Sequence, residues 1–402
     1  MSDSILKDKN IILGVTGSIS CYKSIDLASK LMQLGANVYV ILSDSAQQFV
    51  SALTFTSITH LPVVTEMFDE NSKFSVEHVA LAEMADLIVV SPATANTIAK
   101  LAHGFSDDSL TTTVLATKAP VIVAPAMDAN MYDNPIVQSN ISMLETRGFT
   151  MAGPNYGRMA SGLEGWGRLL ETEEVISHIN LKLGEHGDLE GCKIVVSAGG
   201  TSEPIDPVRV ITNRSSGKMG YSIAIAALER GAQVSLISAS NSLPDPLGIK
   251  VSHVETVSQM RDSVLLECSD ADAVIMAAAI SDYRVKEVAD NKIKKQEDQN
   301  MSIELVQNED FLQEIPENVK KIGFAAETEN LEQNAIKKLN TKNLEFIVAN
   351  DVTLEGAGFA VDTNKVSIID KSGTITDYPL QSKYDVANII LDKLIQIIKS
   401  KN

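Results

Sequence analysis

The chain has 402 residues, of which 44% are hydrophobic and 21% charged. That globular balance is long enough for two or three domains with cores of their own and excludes a disordered or collagen-like chain. The 34 Lys and Arg stand against 52 Asp and Glu, a formal charge of −18, which disfavours a non-specific binder of nucleic acid or of an anionic membrane.

The three cysteines, Cys21, Cys192 and Cys268, lie far apart and in no metal-ligand spacing. Neither a disulfide framework nor a structural zinc is expected, and a reducing cytoplasm fits. The opening MSDSILKDKN lacks a basic-then-apolar leader pattern. No apolar run approaches the ~18 residues that span a bilayer. The expectation is a soluble cytoplasmic protein with no membrane and no nucleic-acid partner.

In chain order, Asn10–Val15 is an apolar run that ends in Thr16-Gly17-Ser18. Ile25, Ala28, Leu31 and Met32 then recur at helical spacing, and Gly35 sits where a helix ends. Val38–Leu42, Ala85–Val90 and Pro120–Ala124 predict further strands, alternating with helical patterns at Thr94–Leu101 and Pro135–Arg147, the latter stopped by Gly148. Gly157–Arg168 reads as a glycine-rich flap or connecting loop. A similar opening recurs at Lys193–Ser197, followed by a helix over about Gly217–Arg230 and a strand at Gln233–Ile237. Strand–helix alternation implies parallel sheets with helices on both faces. The fold class is therefore α/β, with two Rossmann-like parallel-sheet domains. Gly184–Gly191 is the natural junction, and the domains are expected at 1–188 and 189–402.

Turns at the C-terminal ends of parallel strands are where such sheets bind ligands. Gly14–Ser18 and Ser91–Asn96 are two of them, and together they favour a nucleotide or flavin. His78 and the segment Pro125–Tyr132 are further candidates in the first half, each with a plain structural reading beside it. Arg214–Gly220 opens a helix but is no P-loop, because Thr212 and Met219 stand where a P-loop needs Gly and Ser or Thr. Its helix N-terminus remains suited to a phosphate. Two lysine clusters, Lys292/Lys294/Lys295 and Lys337/Lys338/Lys342, suit a triphosphate or are solvated faces.

Taken together these strings resemble the bifunctional phosphopantothenoylcysteine decarboxylase/phosphopantothenate–cysteine ligase family of coenzyme A synthesis, along essentially the whole chain. The second half carries the resemblance in Asn213–Gly220, Ser281–Arg284, Lys292–Lys295, Gly323–Thr328 and Ala349–Asp351. The first half carries it in Gly14–Ser18, His78, Ser91–Asn96 and Pro125–Tyr132, which look like a flavodoxin-like, flavin-dependent cysteine decarboxylase fold.

The resemblance implies a ligase that joins 4′-phosphopantothenate to cysteine through an acyl-cytidylate, with CTP as substrate and Mg2+ as its counter-ion. Its CTP contacts fall on Met276, Ala277, Ala278, Asp282, Lys292, Glu309, Asp310, Phe311, Leu312, Phe324, Lys338 and Lys342. Asn213 falls on the residue that handles the acyl intermediate, with Lys292 assisting. It also implies FMN-dependent decarboxylation of the product to 4′-phosphopantetheine. FMN would lie against Gly17, Ser18, Ser43, Ser91, Thr94 and Asn96, with His78 catalytic. A homo-oligomer is implied, trimeric through the decarboxylase and dimeric through the ligase.

Two positions depart from the pattern: Asp128 stands where the family usually has Asn, and Ser161 where its flap has Cys. A hydroxyl is a far weaker acid than a thiol, and Glu164 is a substitute acid by proximity in sequence. Two alternatives stay open on the residues: an active ligase with a decarboxylation-impaired flavin half, and a non-enzymatic binding module.

Overall fold

Asn10–Val15 (β1) is apolar along its length because both of its faces are covered. In the computed structural model Ile11, Leu13 and Val15 enter one core layer and Ile12 the opposite one. The structure describes residues 4–67, 77–239, 242–294, 301–327, 331–351, 358 and 361–399. Lys295 and Thr328, part of two of the quoted strings, lie outside the described residues. The chain divides into two compact units, 3–183 and 184–402.

In the first unit β1 is followed by α1 (Cys21–Gln33), β2 (Asn37–Leu42), α2 (Ala52–Thr59), α3 (Glu77–Met84), β3 (Leu87–Ala93), α4 (Ala95–His103), α5 (Ser109–Ala116), β4 (Val121–Pro125), α6 (Ala129–Tyr132), α7 (Pro135–Thr146), β5 (Thr150–Met151), β6 (Asn155–Arg158), β7 (Glu164–Arg168) and α8 (Thr172–Gly184). The sheet order is β2-β1-β3-β4-β5, all parallel. One face packs on α1 and α8 through Leu27, Leu31, Val175 and Ile179. The other packs on α4, α5 and α7 through Ile98, Leu110 and Leu144.

The helix stops are chemical. Gly35 and Gly148 take φ of +92° and +89° just past α1 and α7. Asp108 and Thr111 form a capping box at the start of α5. The strand expected at 85–90 begins later, because Asp86 turns back to accept the Asn10 N–H at 2.8 Å. The flap expected as a loop is an antiparallel hairpin, β6 on β7.

The second unit contains β8 (Lys193–Gly199), β9 (Ser202–Pro204), β10 (Val210–Thr212), α9 (Lys218–Leu228), β11 (Gln233–Ala239), β12 (Lys250–His253), α10 (Val257–Glu267), β13 (Ala273–Met276), β14 (Tyr283–Val285), β15 (Leu305–Gln307), β16 (Lys320–Glu327), α11 (Leu331–Thr341), β17 (Phe346–Asp351), β18 (Thr363–Asn364), β19 (Ser367–Asp370), β20 (Ile375–Asp377), β21 (Gln381–Ser382) and α12 (Lys383–Lys399). Its main sheet has the order β12-β11-β8-β13-β16-β17-β19-β20. The first six strands are parallel. β19 and β20 add on antiparallel and close with a turn at Gly373, whose φ is +80°.

The glycine-rich stretch after α8 packs against the end of α9. A Cβ on Gly184 would come within 2.1 Å of the Glu229 carbonyl oxygen, and one on Gly187 within 2.3 Å of that of Arg230. Those contacts fold the stretch into the second unit, so its glycines serve close packing. Among the described residues no helix is long and apolar enough to cross a membrane.

Candidate functional site

Each unit opens a cavity at the C-terminal ends of its parallel strands, as open sheets do. In the first unit β1 runs into the turn Thr16–Ser20, and β3 runs into Thr94, which caps α4 by accepting the Thr97 N–H at 3.3 Å. Thr16 ties the two turns together. Its hydroxyl donates to the Pro92 carbonyl at 2.7 Å and accepts the Thr94 N–H at 3.0 Å.

The cleft between these turns has a volume of about 760 Å³, and Gly17, Ser18, Ser43, Thr94, Asn96, Asp128 and Ser161 all line it. Ser91 does not. It is buried, and its carbonyl accepts the Ser24 hydroxyl at 2.7 Å, because β3 continues past it to Ala93. His78 also stands outside the lining; it is half-buried on α3, which packs against α5. Glu164 is exposed on β7 and does not line the cleft either.

The flap sits directly on the segment after β4. The Met127 N–H donates to the Gly167 carbonyl at 3.0 Å. Gly167 has φ +135°, and a Cβ there would lie 2.3 Å from the Met127 carbonyl oxygen, so only glycine closes this contact. At the hairpin tip the Ser161 hydroxyl donates to Asp128 Oδ2 at 2.7 Å, while Asp128 Oδ1 accepts the Asn130 N–H at 3.1 Å and caps α6. The two positions that depart from the family pattern are therefore hydrogen-bonded to each other.

In the second unit a cavity of about 630 Å³ is lined by Asn213 and the start of α9, by Met276–Asp282 after β13, by Glu309–Leu312, and by Phe324, Lys338 and Lys342. Segments that are far apart in sequence meet here because β8, β13 and β16 are neighbours in one sheet. Asn213 donates from Nδ2 to the Ala279 carbonyl at 3.1 Å. Lys338 reaches from α11 to the Phe324 carbonyl at 2.7 Å, and Lys342 pairs with Asp310 at 3.0 Å.

Lys383 also faces this cavity, from the first turn of α12. It is buried and donates to the Gly358 and Val361 carbonyls, and burial pulls its ammonium below the usual lysine range. No motif marks it in the sequence. Arg214, Lys218, Lys338, Lys342 and Lys383 line the cavity beside Asp282, Glu309 and Asp310, a local excess of cations in a strongly acidic chain. Asn308 is a second residue that sequence reasoning missed; it donates from its side chain to the Ser281 carbonyl at 2.8 Å.

Lys292 does not line the cavity and is exposed on the charged segment between β14 and β15. Its neighbour Ile293 is clamped. The Ile293 N–H donates to Asp206 Oδ2 at 3.1 Å, and its carbonyl accepts from Arg209 at 3.1 Å. Arg209 and three backbone N–H groups hold the Asp206 carboxyl far below the usual range.

A depressed carboxylate contributes stability that is present above its unfolded value, about pH 4, and is lost as pH falls below it. Asp206→Asn is thus expected to melt earlier than wild type at pH 7, with the gap closing under acid. Thermal melts of both proteins from pH 7 to pH 3 check this; a gap that widens under acid contradicts it.

Residues 2–184 match the family model described as Flavoprotein, and residues 189–398 the one described as DNA/pantothenate metabolism flavoprotein C-terminal domain. The coenzyme A biosynthesis bifunctional protein CoaBC of Bacillus subtilis (strain 168) is 46% identical over 401 residues, covering 98% of this chain and 98% of that one. The protein of the same name from Vibrio parahaemolyticus serotype O3:K6 (strain RIMD 2210633) is 39% identical over 398 residues, covering 98% and 99%. A crystal structure of the C-terminal domain of a coenzyme A biosynthesis bifunctional protein CoaBC is 38% identical, covers 53% of this chain and 99% of that one, and superposes with a TM-score of 0.46.

Proposed function

This chain belongs to the family of coenzyme A biosynthesis bifunctional proteins, and from that premise we propose which of its residues carry each step. It is a two-activity enzyme, a flavoprotein decarboxylase and a ligase. We assign the decarboxylase to the first unit and the phosphopantothenate–cysteine ligase to the second, divided at 183/184 and not at the expected 188/189, both working in the cytoplasm.

FMN fits the first cleft. A Cβ on Gly17 would meet that of Ser45 at 2.3 Å, so only glycine lets this turn pack against Ser45 at the edge of the cleft. Ser18, Ser43, Thr94 and Asn96 line the cleft with Gly17. Bound there, FMN would supply a reversible two-electron sink at the thiol-bearing carbon of phosphopantothenoylcysteine. The chain's own residues do the rest. Asp128 orients the Ser161 hydroxyl over the cleft, and the docked hairpin limits water around the reacting end. His78 serves the cleft of a neighbouring subunit in a trimer, since it does not line its own.

In the second cavity CTP lies against Met276–Ala278, Asp282, Glu309–Leu312 and Phe324. Lys338 and Lys342 face its phosphates, and Mg2+ arrives with the nucleotide. Asn213 holds the acyl-cytidylate while the amine of cysteine displaces CMP. Lys292 adds a cation during attack and departure, and the ligase units pair as dimers.

One observation supports this reading above the others. Residues from Asn213 to Lys342, on separate strands and helices, face a single cavity whose lining has more cations than carboxylates. Two measurements test it. The purified protein should carry a flavin that heat releases as FMN. Pyrophosphate release from 4′-phosphopantothenate should proceed with CTP and be far slower with ATP. A colourless protein, or equal use of ATP, contradicts the assignment.

A further inference from the structure

We propose that Arg158, on the flap of the first unit, binds the substrate carboxylate that this unit removes as CO2. The inference rests on the decarboxylase reading above and adds a specificity residue to it.

Four cations line the first cleft: Lys23, Lys100, Arg158 and Arg168. Three are already engaged. Lys23 pairs with Glu171 at 3.0 Å and donates to the Leu169 and Leu170 carbonyls at 3.1 and 3.3 Å. Lys100 pairs with Asp107 at 2.8 Å and Asp108 at 3.1 Å. Arg168 pairs with Glu171 at 2.6 Å. Among the described residues, Arg158 is the one cation of this cleft with neither an ion pair nor a side-chain hydrogen bond. Glu164 lies across the hairpin in register with it, yet no ion pair joins them, and Glu164 does not line the cleft.

The hairpin that carries Arg158 is held against the segment after β4. Gly167 meets Met127 as described, and a Cβ on Gly165 would lie 2.7 Å from that of Ala129. The Ser161–Asp128 hydrogen bond fixes the tip. Arg158 ends β6, three positions before Ser161, and both residues line the cleft. Asp128 is a poor seat for a carboxylate. It is acidic itself, and both of its oxygens already accept a hydrogen bond. A guanidinium with free donors matches a carboxylate in a two-pronged fashion.

The role is one of binding. The substrate anion becomes neutral CO2, so the attraction to Arg158 is lost as the reaction proceeds. Such a contact lowers the dissociation constant without lowering the barrier. Removing it should therefore raise KM and leave kcat unchanged or higher.

The test uses the full-length flavin holoenzyme and two ligands without a thiol. Phosphopantothenoylserine keeps the carboxylate and the phosphate. Phosphopantothenoyl-ethanolamine keeps only the phosphate. Both are titrated by calorimetry into wild type, Arg158→Ala and Arg158→Lys. Arg158→Ala is expected to weaken the acid roughly 10–100-fold while the carboxylate-free ligand stays within about twofold, and Arg158→Lys is expected to recover part of the loss. Equal weakening of both ligands would assign Arg158 to the phosphate or to flap folding, and no weakening would remove it from the site; either overturns the proposal. If wild type binds neither ligand, the decarboxylase reading of the cleft is what fails.

Discussion

His78→Asn is expected to stop CO2 release from phosphopantothenoylcysteine, by about 10²–10⁴-fold, while CTP-dependent ligation continues at the wild-type rate. An imidazole can accept and return a proton, and a primary amide cannot, although the two occupy similar space. His78 stands on α3, where its neighbours Leu81 and Ala82 are buried and the imidazole is half-exposed. The substitution therefore removes chemistry with little packing. The ligase cavity is built wholly from residues 213–383. Separate assays for CO2 and for pyrophosphate check the split. Loss of both activities together would make His78 structural.

Lys292→Ala carries the second large effect, a fall of about 10²–10³-fold in ligation with flavin content and decarboxylation unchanged. The argument is electrostatic. Attack on the nucleotide and departure of pyrophosphate build negative charge, and a cation placed to meet it lowers the barrier. The structure places Lys292 outside the cavity of its own unit, beside the clamp of Asp206 and Arg209 on Ile293. That clamp ties the segment to the turn between β9 and β10, so the assignment of Lys292 rests on the family resemblance and not on its place beside the cavity. Ligation within a few-fold of wild type would remove Lys292 from the mechanism.

The strand–helix scaffold was legible because parallel strands buried on both faces read as continuous apolar runs, as β1 and Lys193–Ser197 do. Their helices end in glycines that take positive φ. The short antiparallel pieces were not legible. β9, β10, β14 and β15 are three residues each, too short for a period to appear. Ser91 read as part of a polar turn because sequence does not show that β3 runs two residues further.

At the sites, the quoted turns were visible one at a time, and what joins them was not. The hydroxyl of Thr16 links two turns 76 residues apart. The pairing of Asp128 with Ser161 depends on glycines that let the hairpin dock, and Lys383 depends on where α12 begins. None of these leaves a local pattern. The sequence marks the flap hydroxyl as a poor replacement for a thiol, and the structure adds that it donates to the carboxylate of the other departing residue.

The central claim is that both halves work in one chain. One reaction containing the full-length protein, 4′-phosphopantothenate, cysteine, CTP and Mg2+ tests it most directly, with pyrophosphate, CO2 and 4′-phosphopantetheine measured together. The account predicts that the three form in equal amounts and that phosphopantothenoylcysteine appears only as a transient. Pyrophosphate release with phosphopantothenoylcysteine accumulating and no CO2 would contradict it, and would leave the first unit a flavin-binding scaffold beside a working ligase.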